Sequence, residues 1–127
     1  MRERLLLARS VAVALASPGL ARLPPRRLAR VLHTGSEGEA GDASAPAAAE
    51  RALALTARLI RHTCYTRGIT RYLLLRRGRS DIALVFGVDA ASPAHDAHCW
   101  IVLDGSPYLE PEDPAHRFVP VWRVSGG

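Results

Sequence analysis

The sequence predicts an α+β domain, because segments with helical spacing fill its first 78 residues and short apolar, β-branched runs fill the remainder. A hairpin signal at Asp104-Gly105, between two of those runs, makes the sheet antiparallel. Hydrophobic residues make up 48% of the 127 positions, enough to bury one core and too few positions for a second, so a single domain over residues 1–127 is expected.

Residues 1–17 carry the run Leu5-Leu6-Leu7-Ala8-Arg9-Ser10-Val11-Ala12-Val13-Ala14-Leu15. Arg9 interrupts it and Glu3 sits where a secretory signal would be positive, so an amphipathic or buried helix ending near Pro18-Gly19 is expected. The apolar run falls short of the roughly 20 residues that a bilayer requires, and no stable membrane span is expected. Pro24 and Pro25 then precede a short helix with Leu28, Val31 and Leu32 on one face and arginines on the other. These N-terminal helices, residues 1–33, should pack on the sheet.

Residues 34–46 are small, polar and glycine-rich, which describes a flexible linker. From Ala47 to His62, Leu53, Ala57, Leu59 and Ile60 recur at helical spacing; a second helix starts at or near Cys64 and stops at Gly78. Strands follow at Ile82–Val88 and His98–Leu103, then beyond the Asp104-Gly105 turn at Ser106–Glu110, and last at Phe118–Val124, where Pro120 marks an edge.

The net charge is +5, and all 17 basic residues are arginines scattered along the chain without an aromatic-interleaved patch, so nucleic acid is not the expected partner. Two cysteines, Cys64 and Cys99, do not make a disulfide framework; a reducing, cytoplasmic location is expected. The chain contains neither Asn nor Gln. A Cys-His-Asn triad and a glutamine oxyanion hole are therefore excluded, and an orienting group must be Asp or Glu.

Cys64 at a helix start would have its thiolate favoured by the dipole and the unpaired amides. Taken singly it also reads as a small buried residue, and His98 as a structural strand histidine. The hairpin relates His98 to an acid. A three-residue turn at Leu103-Asp104-Gly105 sets His98 opposite Glu110, whereas a two-residue turn sets Cys99 opposite Glu110 and directs that acid away from His98. Both turns fit the sequence. His62 and His95 are expected to be exposed, and no zinc-ligand spacing or phosphate-binding glycine loop is present.

Cys64-Tyr65-Thr66-Arg67, Tyr72 to Gly78, Phe86-Gly87-Val88 and His98-Cys99-Trp100 followed by Asp104-Gly105 resemble the transglutaminase-like cysteine peptidases that remove the leader from lasso-peptide precursors. The likeness spans roughly residues 47–124 and rests on the paired Cys-x-x-Arg and His-x-Trp motifs. It implies a papain/transglutaminase-like core over that range. Cys64 would be the nucleophile, His98 the base and Glu110 the acid, with Arg67 and Trp100 in support. Glu110 occupies a position that is usually Asp in this family, so an aspartate there should serve, and Cys99 stands where alanine is usual.

The same resemblance implies a precursor peptide as substrate, a separate leader-recognition protein in place of a built-in binding domain, and delivery to an ATP-dependent cyclase. It implies no metal and no cofactor. Two other functions share the residues: a transamidase on the same core and a non-catalytic peptide-binding module.

Overall fold

The computed structural model describes residues 2–33, 43–77 and 81–125. Most of the expected linker (34–42) and the expected stop at Gly78 lie outside the described residues. Four helices, α1 (Arg2–Ala21), α2 (Pro25–His33), α3 (Ala45–Thr56) and α4 (Cys64–Leu75), precede four strands. These are β1 (Ile82–Val88), β2 (Ala97–Leu103), β3 (Ser106–Pro107) and β4 (Val119–Ser125), with a 3₁₀ turn at Pro114–His116 before the last. The sheet order is β3-β2-β1-β4 with every neighbouring pair antiparallel, which gives the α+β architecture.

Helix α4 seats on one face of this sheet. Ile69, Tyr72 and Leu75 pack there with Leu84, Phe86, Cys99, Ile101 and Val124, all buried. Strand alternation sends Ala83, Val85, Trp100 and Val102 to the opposite face, where Phe118 covers them. Helix α1 lies mainly on α3 and α4 and not on the sheet, while α2 reaches β4. Arg76, at the end of α4, donates to the carbonyl of Leu32 at the end of α2, which satisfies an orphan helix carbonyl with a cation.

Several boundaries differ from the sequence reading for local reasons. Helix α1 continues through Pro18, whose missing N–H would orphan the carbonyl of Ala14; the Ser17 hydroxyl donates to that carbonyl at 2.7 Å instead. At 20 residues α1 has the length and apolarity of a membrane-spanning helix, so the expectation that it is too short is corrected. In this fold its Ser10, Ala14 and Ser17 are buried.

Helix α3 starts two residues earlier than expected and ends at Thr56 in place of His62. The carbonyl of Thr56 accepts from both Leu59 and Ile60, closing the helix in a tight turn, and Leu59 is left 83% exposed. Strand β3 is only two residues long, where Ser106–Glu110 was expected. Strand β4 lies at the edge as expected, with a register shift opposite Phe86/Gly87 that accommodates Pro120.

Candidate active site

Cys64 is the first residue of α4, and the turn that carries it is braced from both sides. Thr63 caps the helix by accepting from the Thr66 amide at 3.3 Å, and the Thr63 amide donates to Thr66 Oγ1 at 2.8 Å. His62 ties this cap to the end of α3, with Nε2 2.7 Å from Thr56 Oγ1 and Nδ1 3.0 Å from Thr66 Oγ1. The Thr56 hydroxyl also reaches the Ala52 carbonyl at 2.8 Å and the Thr66 hydroxyl the Thr63 carbonyl at 3.2 Å, so the neutral ring donates to one threonine and accepts from the other. Burial, and then the charge of Arg67, push the His62 pKa below its ordinary value and keep the ring neutral. The exposed position expected for His62 is thus corrected to a half-buried bridge; His95 is exposed.

The amides of Cys64 and Tyr65 precede the first intrahelical bond and make no hydrogen bond among the described residues. The helix therefore presents free donors beside a half-buried thiol. Cys99 differs: it is 3% exposed, and burial, followed by the charges of Cys64 and Glu110, pushes its thiol far above the ordinary range. Of the two cysteines, Cys64 is the accessible one.

His98 stands near the start of β2 with its ring on the Trp100 side of the sheet. The Trp100 ring stacks on it at 5.7 Å and Phe118 packs at 5.2 Å. Gly87 lies opposite His98 in β1, and a Cβ there would fall 2.8 Å from the Trp100 ring, so glycine is what lets that ring lie flat beneath the histidine. Phe118 is held in turn by the Arg117 guanidinium 4.9 Å above its ring, and Arg117 is fixed by Asp89 at 2.8 Å and Asp96 at 3.2 Å. The hydrogen bond from Arg117 draws the Asp89 pKa down.

His98 Nε2 lies 2.9 Å from Glu110 Oε1, with the two side chains 26% and 16% exposed. The route to this contact is not the one that hairpin counting requires. Asp104 and Gly105 have φ of 52° and 79°, a two-residue turn, and Leu103 pairs with Ser106. Continued in register, Glu110 would face Cys99. The strand instead ends at Pro107, and Leu109 takes a φ of 54°, turning the chain so that the carboxylate reaches His98. The glutamate arm spans the remaining offset; an aspartate on the same backbone would stop about 1.5 Å short, one C–C bond. The family expectation that aspartate serves equally at 110 does not suit this backbone.

The structure thus brings His98 and Glu110 together and sets Trp100 under them. It makes no hydrogen bond between Cys64 and His98 among the described residues. Cys64 lies on the α4 side of the sheet and the His98 ring on the Trp100 side, with Cys99 in the intervening strand. Arg67 is exposed on α4, in the groove between α3 and α4. A cleft of about 210 Å³ opens beside the pair, lined by His98, Glu110, Pro114, Arg117 and Phe118 among others. Phe118 and Arg117 were missed in the sequence as contributors to this site; an aromatic opening the last strand was the only signal. No cluster of three or more metal-ligating side chains occurs among the described residues.

The profile of the transglutaminase-like superfamily matches residues 5–123, nearly the whole chain. The chain belongs to the transglutaminase-like superfamily. The match begins well before residue 47, so in this transglutaminase-like protein the N-terminal helices fall within the region of likeness. No curated protein and no solved structure matches it significantly. Transglutaminase-like proteins generally include cysteine-dependent enzymes, so cysteine peptidase or transglutaminase-type activity is the function at the level the superfamily supports.

Proposed function

We propose that this protein is a cysteine peptidase that removes the leader from a ribosomally synthesised lasso-peptide precursor. The observation that carries the reading is the His98–Glu110 hydrogen bond of 2.9 Å next to Cys99, a thiol that feels the charges of both Glu110 and Cys64 at the capped start of α4. In the proposed reaction, the Cys64 sulfur attacks the scissile carbonyl and the free amides at the start of α4 receive the oxyanion. His98 takes the thiol proton and passes it to the leaving amine, and Glu110 holds the ring and stabilises its charged form. Water, deprotonated by His98, then attacks the thioester and releases the leader acid with regeneration of the thiol.

Because Cys64 and the His98 ring lie on different sides of β2, the first proton transfer requires a rearrangement at the start of that strand or a bridging water, and that approach is part of the proposal. Trp100 supports His98 from below. The proposal includes a precursor held by a separate leader-recognition protein, an ATP-dependent cyclase that takes the trimmed peptide, a cytoplasmic setting, and no metal or cofactor.

The test is mass spectrometry of a precursor incubated with the protein and its recognition partner. Cys64→Ala should abolish leader removal with folding intact, Cys99→Ala should retain it, and the recognition partner should raise the rate. An added primary amine should leave the product a free acid. Equal loss in both cysteine variants, or an amide product, overturns the peptidase assignment.

A further inference from the structure

Cys64, Arg67 and Arg71 follow one another at intervals of three and four residues and so share a stripe of α4. Beyond Cys64, this stripe forms one wall of a groove of about 630 Å³, and α3 with the turn after it forms the other. The floor is apolar: Leu53, Ala54, Ala57 and Ile60 line it. Among the described residues no Phe, Tyr or Trp lines the groove, and its one ring, His62, is held between Thr56 and Thr66 through both nitrogens, which leaves little platform for stacking bases.

The charges around it do not balance. Glu50, the one carboxylate lining the groove among the described residues, is taken by Arg71 through two bonds of 2.9 and 2.7 Å. Arg61 and Arg67 are exposed and have no acidic partner among the described residues. The surplus registers on His62, whose charged form is disfavoured in part by Arg67. Two unpaired guanidinium forks above an apolar floor suit carboxylates presented on an extended chain, since the fork matches a carboxylate and the floor accepts the intervening side chains.

We propose that this groove binds an acidic segment of the peptide substrate, with Arg61 and Arg67 as specificity-determining residues for Asp or Glu. The position of that segment rests on the reading of Cys64 as nucleophile. Arg67 lies about 4.5 Å along the helix from Cys64, and its side chain extends several ångströms further, so the recognised carboxylate sits about two to four extended residues from the scissile bond.

Fluorescence anisotropy on the Cys64→Ala chain, which does not turn over, tests the groove apart from the chemistry. The probes are rhodamine-labelled decapeptides alternating Glu with Ala or Gln with Ala. At low salt the Glu peptide should bind about tenfold tighter, each arginine contributing about two- to fivefold, and 0.5 M salt should erase most of the difference. Arg61→Gln with Arg67→Gln should reduce the preference to less than about twofold without changing the melting temperature, because both side chains are exposed.

Equal affinity for the two peptides overturns the proposal, as does a preference that survives the double variant or an oligo-dT of equal charge that binds as tightly as the Glu peptide. A Glu preference that depends on the two arginines, found alongside full leader removal by Cys64→Ala, would leave the acidic-peptide site standing and discard the nucleophile.

Discussion

Alanine at position 68 tests the close approach that seats α4 on β2. A Cβ built at Gly68 lies 2.8 Å from Cys99 Sγ and 3.1 Å from Leu84 Cδ1, with Cys99 Cβ at 3.8 Å. Ordinary contacts begin at about 3.5 Å, so helix and strand must part by most of 1 Å. Overpacking of this kind costs about 1–3 kcal/mol, offset by the 0.8–1 kcal/mol that alanine gains over glycine in a helix. Gly68→Ala should therefore destabilise the protein by about 0–2 kcal/mol.

In a Cys99→Ala background the sulfur is gone and the nearest remaining atom is a leucine methyl that can rotate aside. The same substitution should then stabilise by roughly 0.5–1 kcal/mol, giving a coupling energy of about 0.5–3 kcal/mol. Urea unfolding of the four proteins at constant m supplies the cycle, and each kcal/mol moves the melting temperature by about 3–5 °C. The shift also reaches the site, since Cys64 lies one helical turn from Gly68 and His98 adjoins Cys99. A displacement near 1 Å costs on the order of a hundredfold in rate, so Gly68→Ala should lose more activity than stability, and the double variant should recover it. Stabilisation by the same ~1 kcal/mol in both backgrounds would refute the close-approach argument.

Native alkylation with iodoacetamide should label Cys64 at least about a hundredfold faster than Cys99, because only the former is accessible and the latter's thiolate is strongly disfavoured; comparable labelling contradicts this assignment. Under the proposed mechanism, Glu110→Ala should cut turnover on saturating precursor by roughly 10²- to 10⁴-fold, Glu110→Asp by at least about tenfold, and Asp104→Asn by less than about twofold. Full activity in Glu110→Ala rules out the triad.

His62→Ala removes two bridging hydrogen bonds at about 0.5–1.5 kcal/mol each, a loss of about 1–3 kcal/mol in urea unfolding. The native His62 pKa lies below 6.5, so between those two values the unfolded chain binds more protons than the native one. Its contribution is full above about pH 6.5 and falls as the pH drops through the native pKa. Melting between pH 7.5 and 5 should accordingly decline more steeply in the wild type than in His62→Ala, and parallel declines refute the bridge's role.

What the sequence determined by itself was local. Helical spacing sets a helix start at or near Cys64 because it depends only on residues three and four apart, and α4 begins there. Asp104-Gly105 marks a tight turn because those two residues tolerate positive φ, and both adopt it. The apolar run Ile82–Val88 became a strand with its bounds unchanged. Even the edge position of β4 follows from Pro120, which cannot donate to a ladder on both sides.

The relations between distant segments were not legible in this way. Alternation along β2 places Cys99 and His98 on opposite faces, but which face α4 covers depends on the packing of Ile69 and Tyr72 and on a glycine at 68. His62 looked like a surface residue because its two partners, Thr56 and Thr66, come from different helices brought together only by the fold. Glu110 shows the division most sharply. Register counting across the observed turn sends it toward Cys99, and a bend at Leu109 that no local signal announces returns it to His98. Short-range hydrogen bonding decides caps and turns, whereas a side chain's partner across the molecule is decided by which surfaces bury each other, and that is settled only when the whole chain is packed.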